Sequence, residues 1–452
     1  MSFRTYVELK DSGVEWIGSV PTHWKVERFK NSVSTCKNGT WGDEPEGTEF
    51  DIQCVRVADF DRQRCVVGEV PTIRNVGERE RLGRLLSSGN LLLEKSGGGD
   101  LQPVGFVVLY DKDQPAVCSN FVARMELVDG MNPSFWRYCH AAAYAVRLNQ
   151  RSIKQTSGIQ NLDQSQYLNE LAPYPPEEEQ KAIASFLDTE TSKIDALIAE
   201  QQRLIELLKE KRQAVINHAV TKGLDPDAPM KPSGIGWIGE IPEHWAMKRL
   251  KHVSPSISVG IVVEPSKYVS EDQNDPPFIY GGDIREERID WTSSRRITPN
   301  DSNQQFKSRL DTGDVLTVRV GAPGVTAVVP EECEGGNCAS VMLIRKGRFD
   351  SYWLCYVMNS FVVRNQIEVV QYGAAQKQFN ISHAVDFVVP FPSLEEHTAI
   401  VASVREATMK IDSLISEAVR GIELLQERRS VLISAAVTGK IDVRDHLLQG
   451  AV

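Results

Sequence analysis

The chain predicts an α+β fold with a pseudo-twofold internal repeat: two globular mixed α/β units joined by two long antiparallel coiled-coil helices. Three observations carry that prediction. A long amphipathic stretch occurs twice. A segment of paired tryptophans with Gly and Pro between them occurs twice ahead of it. Between the two, in each half, short apolar runs alternate with glycine turns.

The first long stretch opens at Pro175-Pro176-Glu177-Glu178-Glu179-Gln180 and reaches Lys222 without a further Pro or Gly. Ile183, Leu187, Ile194, Leu197, Leu204, Leu208 and Val215 fall in steps of three, four or their sum. That is the seam spacing of a helix packed lengthwise on another helix. At an offset of 217 residues the register returns as Pro392, Glu395, Glu396, Ile400, Val404, Ile411, Leu414, Leu425 and Leu432. Acidic residues at Glu177 to Glu179 complement the positive end of the helix macrodipole. Glu190, Gln201 and Lys211 interrupt the first seam, and Gly421 and Arg428 the second; such positions relieve packing or receive a partner.

Residues 223–232, rich in Gly, Asp and Pro, are the one evident linker. Because it is short, the second globular unit is expected at the C-terminal end of the first helix, and the second helix must run back to pack on the first. At ~1.5 Å per residue each helix is a strut of roughly 65 Å with a globular unit at each end. The expected boundaries are 1–175 and 223–392 for the globular units, and 176–222 and 393–440 for the helices.

The tryptophan segments are Ser12 to Trp24 and, at an offset of 221, Ser233 to Trp245; each closes on a basic pair, Arg28 and Lys30 or Arg249 and Lys251. Two Trp with Gly and Pro between them make a packed, turn-rich anchor, and His23 and His244 are expected to be structural. Farther on, Val55-Arg56-Val57-Ala58-Asp59-Phe60 matches Ile279-Tyr280-Gly281-Gly282-Asp283-Ile284, and Gly89 to Gly97 matches Gly313 to Gly321. The latter two predict a turn, a short apolar strand and a glycine loop. Each unit ends in a polar tail (Gln155 to Leu162, Gly373 to Ile381), then Pro173-Tyr174-Pro175 or Pro390-Phe391-Pro392 as an extended lead into the helix.

At 452 residues the chain has ample length for real cores, and 41% hydrophobic with 25% charged residues is ordinary for a globular protein. The N-terminus carries Arg4, Glu8, Lys10 and Asp11 with no apolar run, so no signal peptide is expected. No run approaches the ~18 apolar residues of a membrane span, which makes the cytoplasm the expected compartment. Eight cysteines include no CxxC pair, and Cys333 with Cys338 has no neighbouring His, so free thiols are expected. A net charge of -10 argues against a protein that coats nucleic acid nonspecifically, but not against local binding patches.

The search for catalytic motifs returns little. Asp275-Pro276-Pro277-Phe278 spells a signature of amino-methyltransferases, but it follows polar residues and no cofactor motif accompanies it; a loop is expected there. Gly97-Gly98-Gly99 lacks the Lys-Ser/Thr ending of a phosphate-binding loop. Carboxylate pairs such as Glu286-Glu287 have no partner set of a nuclease. No catalytic residue is therefore expected. The parallel features are better suited to binding. Glycines let a backbone approach a partner closely, a basic residue (Lys95, Arg319) precedes each loop, and Gln or Asn can pair bidentately with adenine as Arg and Lys do with guanine. The candidate contacts are Lys95, Ser96, Gly97, Gly98 and Arg319 in the loops, and Gln160, Asn161, Gln376, Lys377 and Gln378 in the tails. Arg56 and Tyr280 at matching positions, and Arg285 in a basic group diluted by acids, complete the set.

With both repeats in hand, the chain resembles the specificity (S) subunit of type I restriction–modification systems. The Trp-Ile-Gly-x-x-Pro-x-His-Trp anchors, the Gly-Asn/Asp-x-Leu strand before a glycine loop, the Pro-Pro-x-x-Glu-Gln lead and the complete duplication carry the resemblance; His397 departs from it, standing where Gln is usual. It implies that each globular unit is a target recognition domain for one half of a bipartite double-stranded DNA sequence. The helices would set the spacing and dock two methyltransferase (M) subunits, with restriction (R) subunits joining them. It also implies no cofactor in this chain: S-adenosylmethionine would belong to the M subunits, ATP and Mg to the R subunits. The alternatives are a scaffold that binds protein only and a self-contained methyltransferase.

Overall fold

A computed structural model of the chain describes residues 4–156, 158–371 and 378–444. The chain divides into two compact units, Met1–Gln202 with Arg420–Val452, and Arg203–Val419. The two long helices, Glu177–Lys222 and Leu394–Val437, each give one portion to each unit. No helix among the described residues is long and apolar enough to cross a membrane.

The duplication is written in the sheet order. The first unit's main sheet begins with strands Val33–Asn38, Val122–Leu127, Leu91–Glu94 and Val107–Leu109 as neighbours; the second unit's is Ile257–Val259, Met342–Ile344, Val315–Thr317 and Thr326–Val328 in the same order. A second sheet places Asp51–Val55 between a parallel neighbour, Ala116–Cys118, and an antiparallel one, Ile73–Asn75. Its counterpart places Pro277–Ile279 between Asn337–Cys338 and Arg295–Ile297 with the same polarities. In the Asp-Pro-Pro-Phe segment, Asp275 and Pro276 lie in the expected loop, whereas Pro277 and Phe278 belong to the strand. Pro277 opens that strand, where the missing N–H is tolerated, and Phe278 is fully buried in a small core with Ile261, Ile297 and Ala339. Asp275 accepts a hydrogen bond from Ser270 Oγ at 2.6 Å, which closes the preceding turn.

The tryptophan anchors fasten each helix start to its globular unit. In the first unit Glu179 accepts hydrogen bonds from Tyr6 Oη at 2.9 Å and Trp24 Nε1 at 2.9 Å, with His23 Nε2 2.6 Å away. In the second, Glu396 takes Trp245 Nε1 at 2.9 Å, His244 Nε2 at 2.8 Å and the Ser393 N–H at 3.1 Å. Burial alone would raise the Glu396 pKa, but the bonds from His244, Trp245 and Ser393 outweigh it and hold the carboxyl at about 2. The glutamates therefore do more than complement a macrodipole. Trp24 and Trp245 are buried. A buried indole removes roughly 150–250 Å² from water, about 4–6 kcal/mol as an upper estimate at ~25 cal/mol per Å². That exceeds any single hydrogen bond, so the indole supplies the energy and the carboxylate fixes its orientation.

Within each unit the helix portions run antiparallel. In the first, the anchor meets Glu179 at one helix's start and, through Trp24, Gly439 just beyond the other's end, where an added Cβ would lie 3.2 Å from the ring. In the second, Trp245 meets Glu396 and, in the same way, Gly223. Asp195 Oδ1 accepts from Arg429 Nε at 3.1 Å, and Arg212 Nε donates to Asp412 Oδ1 at 3.0 Å. Asp195 and Asp412 stand 217 residues apart in the sequence, as do Arg212 and Arg429, so each repeat's aspartate meets the other's arginine. Equivalent helices can make that reciprocal pairing only when antiparallel.

The seam differs from the expected one in phase. Ile183, Leu187, Ile194 and Leu208 are buried, but Leu197, Leu204 and Leu414 are exposed, and Ile198, Ile205 and Ile216 point inward instead. Leu197-Ile198 and Leu204-Ile205 are adjacent apolar pairs about 100° apart around a helix of 3.6 residues per turn. Steps of three and four fit either member, and packing selects the isoleucines. Lys211 and Arg428 are likewise exposed, off the seam; the polar residues that pair from helix to helix include Asp195 with Arg429 and Arg212 with Asp412.

Candidate nucleic-acid interface

The strand Leu91–Glu94 is buried along its length, with three leucines before Glu94, and it delivers the chain to Lys95 at the sheet edge. There Ser96–Gly97 pairs antiparallel with the strand Ile159–Leu162, Ser96 opposite Asn161 and Gly97 opposite Gln160. The glycine loop and the polar tail, far apart in sequence, are strand neighbours. Ser96 Oγ donates to Asn161 Oδ1 at 2.6 Å, and Lys95 Nζ to Asn38 Oδ1 at 2.6 Å. Gln160 turns the other way: it is buried, and its Oε1 accepts the Val104 N–H at 3.2 Å, so this side chain serves the fold. Gly98 is a conformational requirement, with φ of +65° and space for a Cβ only 2.6 Å from Val104 N.

Lys95 borders a groove of about 730 Å³ also lined by Lys37, Asn38, Arg84, Asp163 and Gln164. Three cations face it against one carboxylate, and Asp163 is already paired with Lys154 Nζ at 2.7 Å. Phe121, half exposed, supplies the carbonyl that accepts the Lys95 and Ser96 N–H groups at 2.8 and 3.3 Å. Sequence reasoning missed Lys37, Arg84 and Phe121 because their neighbourhood arises from strand order; no local motif marks them.

The second unit repeats the juxtaposition. Beyond the strand Val315–Thr317, Arg319 Nε donates to Phe379 O at 3.1 Å and Nη2 to Asn380 Oδ1 at 3.3 Å, and Val320 bridges Gln378. Burial lowers the Arg319 pKa from its usual value, which leaves the guanidinium charged at neutral pH. Gln378 is exposed, and Gln376 and Lys377 lie outside the described residues.

Arg56, Tyr280 and Arg285 belong to other features. Arg56 and Tyr280 begin matching single turns in which the backbone N–H donates to Asp59 at 2.7 Å or Asp283 at 2.8 Å. The Arg56 guanidinium is committed to Asp59 at 3.0 Å, and the Tyr280 ring lies 4.2 Å from the Arg295 guanidinium carbon. Arg285 bonds the carbonyls of Gly282 and Ile284 within its own hairpin, at 2.6 and 3.1 Å, with Asp290 3.6 Å away. Among the described residues, no group of His, Cys, Asp and Glu has the geometry to hold a metal ion, and the eight cysteines are free.

The chain is a duplicated α+β protein, whose two units each set a basic loop beside a polar tail and each hold a portion of both long helices. No family model matches the sequence. The chain is 22% identical to a type I restriction enzyme MjaX specificity subunit of Methanocaldococcus jannaschii, over 95% of this chain and 96% of that one. It is 25% identical to the EcoBI specificity subunit of Escherichia coli over 73% and 70%. In fold, it matches a chain from the assembly and conformational transition of the type I R-M system with a TM-score of 0.67 at 16% identity, covering 93% of this chain and 99% of that one. It matches the HsdS subunit of Thermoanaerobacter tengcongensis with a TM-score of 0.50 at 16% identity, covering 93% and 98%. In sequence over most of its length, and in fold, the chain is similar to type I restriction specificity subunits.

Proposed function

We propose that this chain is the sequence-recognising subunit of a type I restriction–modification complex, with each unit reading one half of a bipartite double-stranded DNA target. The observation that carries the proposal is the repeated placement of a basic loop beside a polar tail, in units of one topology and different side chains. Two different half-sites require that combination. Lys95, Lys37 and Arg84, and Arg319 in the second unit, contact phosphate or guanine; Ser96, Asn161 and Gln378 contact base edges or backbone. The chain carries no chemistry of its own. Methylation of adenine with S-adenosylmethionine belongs to two M subunits, and ATP-driven cleavage with Mg to R subunits. Exposed leucines at matching helix positions, Leu197 with Leu414 and Leu207 with Leu424, are where M subunits dock.

The test begins by mapping methylated adenines with and without this subunit, which identifies the target. Binding of that duplex by the S–M complex is then measured across salt concentrations, with Lys95→Ala and Arg319→Ala combined. Each lost phosphate contact flattens the dependence of log K on log salt by about 0.9, so the double variant should lose about 1.8 from the slope. An unchanged slope and target preference rules these residues out as contacts. Methylation that ignores the subunit supports the scaffold alternative instead.

A further inference from the structure

Directly behind the loop of the first unit lies a charge that the proposed contacts do not explain. Glu94, the residue before Lys95, is fully buried. Its Oε2 accepts from Arg62 Nη2 at 2.8 Å and from the Phe106 N–H at 3.4 Å, while Oε1 lies 3.8 Å from where a Cβ on Gly97 would sit. Arg62 occupies the turn between Phe60–Asp61 and Val66–Val67, with its guanidinium carbon 4.8 Å from the Phe106 ring centre. The next residue, Gln63, donates from Nε2 to Asp195 Oδ1 at 3.0 Å, the oxygen that also takes Arg429 Nε. A continuous polar line therefore runs from the loop to the helix portions of the same unit: Glu94, Arg62 with Gln63, Asp195, Arg429.

Packing does not make this connection by itself. Arg62, Gln63 and Arg429 line a cavity of about 330 Å³ with Phe106 and Ile433, so the turn and the helix are held across a partly empty space. A buried ion pair is weak support for stability, since desolvation offsets most of its attraction. Its defensible use is to fix geometry. The second unit lacks the first link, with Val318 before Arg319; there the matching turn reaches the helices through Glu287 and Arg212, 2.9 Å apart.

We propose that Glu94 and Arg62 are positioning residues that register the Lys95–Gly97 edge on the helices of the first unit, so that recognition of one half-site alone depends on them. This rests on the DNA-reading function proposed above. The experiment uses the complete S–M complex and duplexes carrying single base changes in either half-site, with the half-site of the first unit identified by exchanging residues 1–175. Glu94→Val with Arg62→Leu replaces the pair by apolar side chains, as at Val318, and leaves no unpaired buried charge. Discrimination against base changes in that half-site should fall roughly tenfold, and discrimination in the other should hold. Gln63→Leu, at an exposed position where folding is not at risk, breaks the next link and should give the same one-sided loss, about threefold. Equal losses in both half-sites, or none in either, overturn the positioning role. A wild-type complex that directs no methylation to a bipartite target overturns the DNA-reading function itself.

Discussion

At the scale of single residues, the two halves differ most informatively at Gln180 and His397, which stand 217 apart. Gln180 is satisfied on both sides: its Oε1 accepts the Asn132 N–H at 3.0 Å, and its Nε2 donates to Pro175 O at 3.0 Å. His397 is buried with no hydrogen-bond partner for either ring nitrogen among the described residues, and instead stacks on Trp353 at 3.8 Å between ring centres. His in place of Gln at this position thus exchanges hydrogen bonds for aromatic packing. Burial lowers the His397 pKa to about 4, below the ~6.5 of an unfolded chain. The fold therefore favours the neutral ring. Its contribution is complete above about pH 6.5 and is lost as pH falls towards about 4. Glu396, held at about 2, loses its contribution only in more acidic solution, from about 4.5 downwards. We expect His397→Gln to show a smaller fall in the urea midpoint between pH 7 and pH 5 than the wild type. His140, at about 3 for the same reason in the other unit, leaves a residual slope. An identical fall in both proteins excludes His397 as the titrating group.

Among the elements, the long helices carry charge pairs that specify their register. Apolar seam positions recur every three or four residues and permit slippage by a heptad; a buried charge pair does not. The side chains of Asp195 and Arg429 are 9% and 10% exposed, buried enough that losing one partner strands the other. Asp195→Ala is expected to cost about 3 kcal/mol. Asp195→Leu with Arg429→Met should cost less, since no unpaired charge remains. Hydrogen exchange resolves the effect by element: protection should fall in residues 177–202 and 420–437 and persist in 394–419. Loss spread evenly over both helices, or a double variant worse than the single one, argues against the pair as a register device.

For the whole molecule, the proposed division of labour is separable. In that proposal the globular units carry specificity and the helices carry spacing. Inserting four residues near Gln201 adds about 6 Å of helix, close to the rise of two base pairs. The expected result is a bipartite target with unchanged half-sites and altered separation, read from the methylated adenines of cells that express the variant. A target whose spacing stays fixed removes the helices from any role in measuring it.

Much of this architecture was legible in the sequence. The duplication fixed the number of units, the Pro-led apolar periodicity located both long helices, and the short linker required their antiparallel return. These follow from local chemistry and chain connectivity, which a linear pattern records. The basic loops and polar tails were visible as parallel features too, though not as neighbours. Tertiary structure decided the rest. Strand pairing joined Ser96 to Asn161 and turned Gln160 inward, because alternate residues of a strand face opposite sides and register selects which. Packing chose Ile198 and Ile205 over Leu197 and Leu204, since either fits a helical step. The polar line from Glu94 to Arg429 links residues more than three hundred positions apart, and a sequence read along one dimension carries no record of which buried charges will meet.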